Sequence, residues 1–176
     1  MMQVHLIREF KGVILDIGGG GEGIIGRLYR EQVTAIDISP DELAEAPDCC
    51  AKIVMDARKM AFPSESFDHV TAFYSFMFML RGDQDRVLRE AVRVLRAGGC
   101  LHIWDAEFPT AFPEPFVAEL DVRMEDSCIH TSYGIVKNEG QSCRDILRMA
   151  EEAGLNAVRS VCGDGHFYIC LEKQKA

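Results

Sequence analysis

The sequence has no long apolar run. No stretch of the 176-residue chain approaches the roughly 20 consecutive apolar residues that cross a bilayer as a helix. Residues 1–11 likewise contain no apolar core of the length that a signal peptide needs. We therefore expect a protein without a membrane segment that stays in the cytoplasm.

Basic residues are also scarce. Lys and Arg number 19 against 28 Asp and Glu, which gives a formal net charge of −9, and the basic residues are scattered along the chain. Proteins that bind nucleic acid normally present a Lys/Arg patch to the phosphates. We therefore expect no nucleic-acid partner.

The seven cysteines lack the spacing of a disulfide framework or a zinc site. Their number is odd, Cys49 and Cys50 are adjacent, and no C-x-x-C pair occurs among the others, which are Cys100, Cys128, Cys143, Cys162 and Cys170. Such spacing favours reduced, mostly buried thiols and predicts no metal site.

Short apolar runs alternate with amphipathic segments between residues 12 and 107. This rhythm is typical of βαβ units with a parallel sheet covered on both faces. We predict strands at 13–15, 33–37, 52–55, 67–73 and 100–104, and helices at 22–32, after Ser39, and before a Gly98-Gly99 cap. The length suits one core, so we expect a single domain over 1–176.

Beyond residue 109 the pattern changes to period two. Leu120, Val122 and Met124 alternate with charged residues, as in a strand with one wet face. A turn at 126–127 and a partner strand at 129–136 complete an inserted β-hairpin of about 112–138. A helix over 142–153 and strands at 157–161 and 166–171 close the fold.

The apolar row of this hairpin needs a surface to bury against, because an isolated hairpin is marginal in water. Few residues precede the glycine loop that begins at Gly18, so no N-terminal helices are expected to roof a ligand pocket. We therefore expect the hairpin either to cover that pocket or to form the contact of a homodimer.

A glycine-rich loop joins the first strand to the first helix: Asp16-Ile17-Gly18-Gly19-Gly20-Gly21-Glu22-Gly23. Glycines there let the backbone turn sharply and approach a ligand closely. The loop satisfies G-x-G-x-x-G, so a dinucleotide fold and a turn without a ligand both remain open at this point.

Two acidic residues end the next two strands. Asp37 and Asp56 lie at the carboxyl edge, where open α/β sheets bind ligands. Asp37 can accept hydrogen bonds from ribose hydroxyls, while Asp56 can accept from an adenine amino group and the Ala57 N–H can donate to a ring nitrogen. Either strand end could instead be a solvated turn, and it is their placement beside the glycine loop that favours a ligand site.

With this glycine loop and these acidic strand ends, the chain resembles the class I S-adenosylmethionine-dependent methyltransferases of the broad type-11 group. The resemblance spans about residues 12–107. The segments that carry it are Val13-Ile14-Leu15-Asp16-Ile17-Gly18-Gly19-Gly20, Ala35-Ile36-Asp37, Met55-Asp56-Ala57, Phe62-Pro63-Ser64-Glu65-Ser66-Phe67-Asp68-His69-Val70 and Glu90-Ala91-Val92-Arg93-Val94-Leu95-Arg96-Ala97-Gly98-Gly99.

The resemblance implies a Rossmann-like, doubly wound α/β sheet of seven mostly parallel strands with an antiparallel last strand, and S-adenosylmethionine as cofactor. The implied cofactor residues are Asp16, Gly18 and Gly20 at the methionine end, Asp37 at the ribose, and Asp56 with Ala57 at the adenine.

The sequence departs from the family pattern in two places. Glu22 stands where the family loop has its third glycine, and Tyr74-Ser75-Phe76-Met77-Phe78 stands where a His-rich stretch is often found. We predict that Glu22 caps backbone N–H groups at the first helix's N-terminus.

The candidate catalytic residues are Asp105, which follows the fifth strand, and Tyr74 opposite. Asp105 either orients or deprotonates a substrate, or only caps a loop, and capping is the commoner role. The function predicted is methyl transfer to a small-molecule nucleophile. An NAD-dependent oxidoreductase and a non-catalytic, cofactor-binding regulatory subunit are the alternatives.

Overall fold

The computed structural model of the protein describes residues 2–174. Its strands are β1 (Met2–His5), β2 (Ile14–Ile17), β3 (Val33–Asp37), β4 (Ala51–Val54), β5 (Phe67–Phe73), β6 (Leu95–Ala106), β7 (Ala111–Met124), β8 (Ser127–Lys137), β9 (Leu155–Gly163) and β10 (His166–Lys173). Its α-helices are α1 (Ile24–Tyr29), α2 (Pro40–Glu45), α3 (Arg81–Val94) and α4 (Cys143–Glu152). No helix in this part of the chain is both long and apolar enough to cross a membrane.

Seven strands form the central sheet in the order β4-β3-β2-β5-β6-β10-β9. The strands from β4 to β6 are parallel neighbours, whereas β10 runs antiparallel to both β6 and β9. The predicted fold class is therefore confirmed. Since parallel strands end at one edge, the loops after β2, β3, β4 and β5 meet there.

Two hydrophobic clusters cover the two faces of the sheet. One contains the apolar stripes of α3 and α4, including Leu88 and Ile146, both fully buried. The other contains Ile25 of α1 and Leu43 of α2, together with residues of β7 and β8. The hairpin therefore shares one face of the sheet with helices α1 and α2.

The first helix is shorter than predicted. It begins at Ile24, because Gly23 adopts a left-handed conformation (φ 57°) as its N-cap, and it gives way after Tyr29 to a 3-10 turn over residues 30–32. Helix α2 begins as the sequence indicates: the Ser39 side chain accepts a hydrogen bond from the Glu42 N–H, and Pro40 is the first helical residue.

The predicted glycine cap of the third helix is wrong. Helix α3 ends at Val94, and Leu95 is already extended backbone that opens β6. Leu95 is fully buried and pairs with Phe67 of β5, so tertiary burial decides where the helix stops. Gly98 has a left-handed φ of 76° within the irregular start of β6.

Strands β7 and β8 pair antiparallel, with Met124 opposite Ser127, and β1 adds to β7 in parallel to make a three-stranded sheet. The side chains of Leu120 and Val122 are fully buried in the cluster that contains α1. The apolar side chains of the hairpin are therefore buried within the chain itself, which removes the reason for expecting a homodimer through the hairpin.

One pair of cysteines lies in direct contact. The sulfur of Cys143, at the start of α4, lies against the sulfur of Cys162 on β9, with the two Cα atoms 6.7 Å apart. The separation of 19 residues along the chain gave no sign of this contact in the sequence. The pairing depends on the packing of α4 against β9.

Candidate functional site

A cavity of about 860 Å³ lies at the carboxyl edge of the central sheet. Its walls come from the glycine loop after β2, the ends of β3, β4 and β5, the segment before α3, and strand β8. All the cofactor residues implied by the sequence line it: Asp16, Gly18, Gly20, Asp37, Asp56 and Ala57.

The glycine loop forms a tight cradle. Gly18 has a φ of 72°, and a Cβ at this position would lie 2.5 Å from Cβ of Ser75. A Cβ at Gly20 would meet the Cβ of Glu42 at the same distance. The N–H of Gly18 donates to the Ile36 carbonyl at 2.8 Å, which ties the loop to β3. Both positions therefore require glycine.

Asp16 and Asp37 stand on either side of this cradle. Asp16 is almost fully buried and accepts a hydrogen bond from the Thr71 hydroxyl at 2.7 Å. Burial raises the pKa of Asp16 to about 7. Asp37 accepts from the Ser39 N–H at 2.9 Å and, more weakly, from the Gly20 N–H at 3.4 Å. Each carboxylate oxygen of Asp37 keeps a lone pair for a ligand.

Arg58 holds the side chain of Asp56. The guanidinium donates to both carboxylate oxygens at 2.8–3.1 Å, and the Arg58 N–H donates to Oδ1 at 2.9 Å. The same guanidinium donates to Asp83 at 3.2 Å. The hydrogen bonds from the Arg58 side chain lower the pKa of Asp56. Asp56 is therefore a fixed, ionised acceptor beside the N–H of Ala57.

Glu22 departs from its expected role. Its carboxylate accepts hydrogen bonds from the hydroxyls of Thr131 and Tyr133 on β8, the latter at 3.0 Å. It therefore does not cap helix α1, because the left-handed Gly23 separates it from the helix start. Glu22 instead ties the glycine loop to the hairpin.

Tyr133 and Tyr74 form an aromatic wall of the cavity. Their rings stack with centroids 5.7 Å apart. Tyr74 has a strained φ of 49° and is 2% exposed, and burial raises its pKa above the usual value. A tyrosine of this kind is protonated at neutral pH, so it cannot act as a base there.

Asp105 lies outside the cavity lining, which corrects its placement as a residue that faces substrate. One carboxylate oxygen accepts from the N–H groups of Phe76 and Met77, the other from the Ala106 N–H and the Gln141 side chain, all at 2.8–3.2 Å. Burial raises its pKa to about 7. Asp105 caps the turn after Tyr74, the alternative that the sequence left open.

Ser75 and Glu42 are among the lining residues that were not predicted from the sequence. The Ser75 hydroxyl is buried without a hydrogen-bond partner among residues 2–174. A buried hydroxyl without a partner is costly, and this one adjoins the glycine cradle. The position of Ser75, two residues after the end of β5, was the only available signal in the sequence.

The lining is strongly acidic. Arg58 is the single basic side chain among the described residues around the cavity, whereas the acidic ones are Asp16, Glu22, Asp37, Glu42, Glu45, Asp56 and Asp83. Burial raises the pKa of Glu42, and the neighbouring carboxylates raise it further. The site therefore favours a ligand with positive charge.

The family model described as "Methyltransferase domain" matches residues 15–103. A rice 2-methyl-6-phytyl-1,4-hydroquinone methyltransferase is 33% identical over an alignment of 116 residues, and the match covers 61% of this chain and 33% of the relative. A phosphatidylethanolamine N-methyltransferase of Cereibacter sphaeroides is 36% identical over 99 residues, 50% of this chain and 47% of the relative. The chain thus spans between about a third and a half of these relatives.

Solved structures agree on the fold. A protein from Pyrococcus horikoshii OT3 superposes with a TM-score of 0.71 at 18% identity, covering 94% of this chain and 84% of that one. An S-adenosylmethionine-bound amino pentose methyltransferase from Micromonospora echinaspora gives 0.67 at 18% identity, with 93% and 84% covered. Together with the match over residues 15–103, the fold and its glycine cradle show that the chain belongs to this methyltransferase family.

Proposed function

We propose that the protein transfers a methyl group from S-adenosylmethionine to a small-molecule nucleophile. The observation that carries the proposal is the convergence of the glycine cradle with Asp37, Asp56 and Ala57 on one acidic cavity. A cavity of about 860 Å³ lies within the usual range for cofactor sites.

The residues fit the cofactor. Gly18 and Gly20 let the loop pack against Ser75 and Glu42 at distances that a Cβ would forbid, which holds the backbone of the cradle in place. Asp37 has lone pairs for two ribose hydroxyls, and Asp56 with the Ala57 N–H suits the adenine edge. S-adenosylmethionine is a net cation, which matches the acidic lining. When bound, it supplies an electrophilic methyl group on a sulfonium.

The aromatic wall of the cavity offers no base at neutral pH. No histidine is among the described residues around the cavity, and the raised pKa of Tyr74 keeps its hydroxyl protonated. The carboxylates of the lining, among them Asp16 with its pKa of about 7, are the groups left to accept a proton, and we propose that the acceptor presents its own lone pair or electron-rich carbon. The tyrosine wall formed by Tyr74 and Tyr133 excludes water and positions the acceptor.

Tyr74→Phe tests this division of roles. The variant keeps the wall and should retain activity within about threefold, whereas removing a general acid or base costs about 10²–10⁴-fold. Tyr74→Ala should weaken acceptor binding. A large loss of kcat in Tyr74→Phe alone would show that the hydroxyl is catalytic.

The acidic lining disfavours an NAD-dependent oxidoreductase. The pyrophosphate of NAD is anionic and would meet Glu22 and Glu42 beside the glycine loop. Isothermal titration calorimetry should show binding of S-adenosylmethionine and none of NAD at equal concentrations. Binding of NAD alone would overturn the proposal.

The acceptor is proposed to have an apolar, ring-containing body. Phe73, Phe78 and Met79 line the cavity beside the tyrosine wall, and the relatives' names include a phytyl hydroquinone and a sterol. Incubation with methyl-labelled cofactor should label a substituted 1,4-hydroquinone in preference to a free amino acid. Cofactor binding without label transfer to any acceptor in a cell extract would favour the regulatory-subunit alternative.

A further inference from the structure

Three side chains of the types that serve as metal ligands meet on the face of the sheet that carries α1. His69 lies on β5 directly opposite Cys100 of β6, and His102 follows two residues later on the same strand. Residues two apart on a strand, and residues paired across strands, point to the same face. The three side chains therefore project together.

Their ligand atoms are already close. The candidate atoms of His69, Cys100 and His102 all lie within 4.8 Å of one another, and Nδ1 of His69 is 3.1 Å from Nε2 of His102. With Zn–N bonds of about 2.0–2.1 Å, two imidazole nitrogens of a tetrahedral zinc site lie about 3.3–3.4 Å apart. The observed distance between the two nitrogens is thus about 0.3 Å shorter than in a tetrahedral zinc site.

The neighbours of the trio resemble the surroundings of a metal site. The second nitrogen of His102, Nδ1, is 3.0 Å from the Tyr168 hydroxyl, and metal-binding histidines almost always have such an outer partner. Cys170 of β10 lies opposite His102, so its side chain points to the same face of the sheet as the trio. Phe10 covers the group, with its ring centroid 4.3 Å from His102 and 4.4 Å from His69.

We propose that His69, Cys100 and His102 bind a divalent transition-metal ion, Zn²⁺ being the best match to a mixed nitrogen and sulfur set. A water molecule completes the tetrahedron. Binding releases the Cys100 thiol proton to solvent, and the thiolate sulfur and two imidazole nitrogens donate their electron pairs to the metal.

The metal would clamp β5 to β6 away from the cofactor cavity. Four residues separate His69 from Phe73, which lines that cavity, a distance of about 13 Å along the strand. Its role is therefore structural and independent of methyl transfer. The competing explanation is a hydrogen bond between two neutral imidazoles, which would leave the sulfur without a function.

Titration with Co²⁺ under nitrogen distinguishes the two explanations. The full-length protein should bind one equivalent and develop a near-ultraviolet thiolate-to-cobalt charge-transfer band, and added Zn²⁺ should displace the cobalt. Cys100→Ser should lose the band and weaken Zn²⁺ binding by more than about 100-fold, because even outer-shell changes cost 10–100-fold.

Two further variants complete the test. His69→Asn, at a half-buried position, should lower the affinity while keeping the charge-transfer band. The control replaces the other free cysteines outside the trio and Cys170, namely Cys49, Cys50 and Cys128, with serine and should bind cobalt like the wild type. No cobalt binding by the wild type, or a band that persists in Cys100→Ser, would overturn the proposal.

Discussion

Replacing Asp37 with alanine removes the acceptor assigned to the ribose of the cofactor. Both Asp37 oxygens already accept one backbone N–H, from Ser39 and Gly20, and their remaining lone pairs are the ones available to a ligand. A hydrogen bond to a charged group contributes about 1.5–3 kcal/mol. The dissociation constant for S-adenosylmethionine should therefore rise about 10- to 150-fold.

Asp41→Ala is the matched control for this measurement. Asp41 lies in the first turn of α2, is exposed, and is outside the cavity lining, so its loss changes the net charge equally without removing a ligand contact. Isothermal titration calorimetry should give an affinity within about twofold of wild type, since exposed charges are screened by salt. Equal losses in the two variants would refute the ribose assignment and leave only a general charge effect.

Three further changes probe the structure around the site. Asp105→Asn should lower the free energy of unfolding by at least about 2 kcal/mol in urea denaturation, because an amide oxygen cannot serve four buried donors; an unchanged midpoint would contradict the capping role. Leu120→Ala should lower the free energy of unfolding by about 2–5 kcal/mol, whereas Val117→Ala, at a half-exposed position on the same strand, should lower it little. Light scattering should give the same mass for both variants. Dissociation of a dimer by Leu120→Ala would instead support a dimer contact through the hairpin. The folded Asp16, with its pKa near 7, keeps a proton that the unfolded chain loses near pH 4, so its contribution to stability falls between about pH 4 and 7. Asp16→Asn should therefore gain stability relative to wild type over that window, by up to about 1.4 kcal/mol per pH unit, and a constant difference between the two proteins would show that the raised pKa is absent.

The amino-acid sequence was sufficient to predict the central sheet and to bring the proposed cofactor residues to one cavity. Alternating apolar and amphipathic segments indicate parallel strands, and parallel strands bring their carboxyl ends to one edge. Asp37, Asp56 and the glycine loop meet in the structure for that reason, although their separation along the chain is large. The period-two pattern of Leu120 and Val122 likewise indicated a strand with one buried face.

Partners that depend on packing between distant segments could be seen only in the tertiary structure. Glu22 binds hydroxyls more than a hundred residues away, with separations of 109 and 111, and Asp105 collects donors from three separate parts of the chain. His69 and His102 become neighbours through strand pairing across 33 residues. Local propensity and spacing describe which element a residue joins, but side-chain contacts are decided by how the buried faces of those elements pack together.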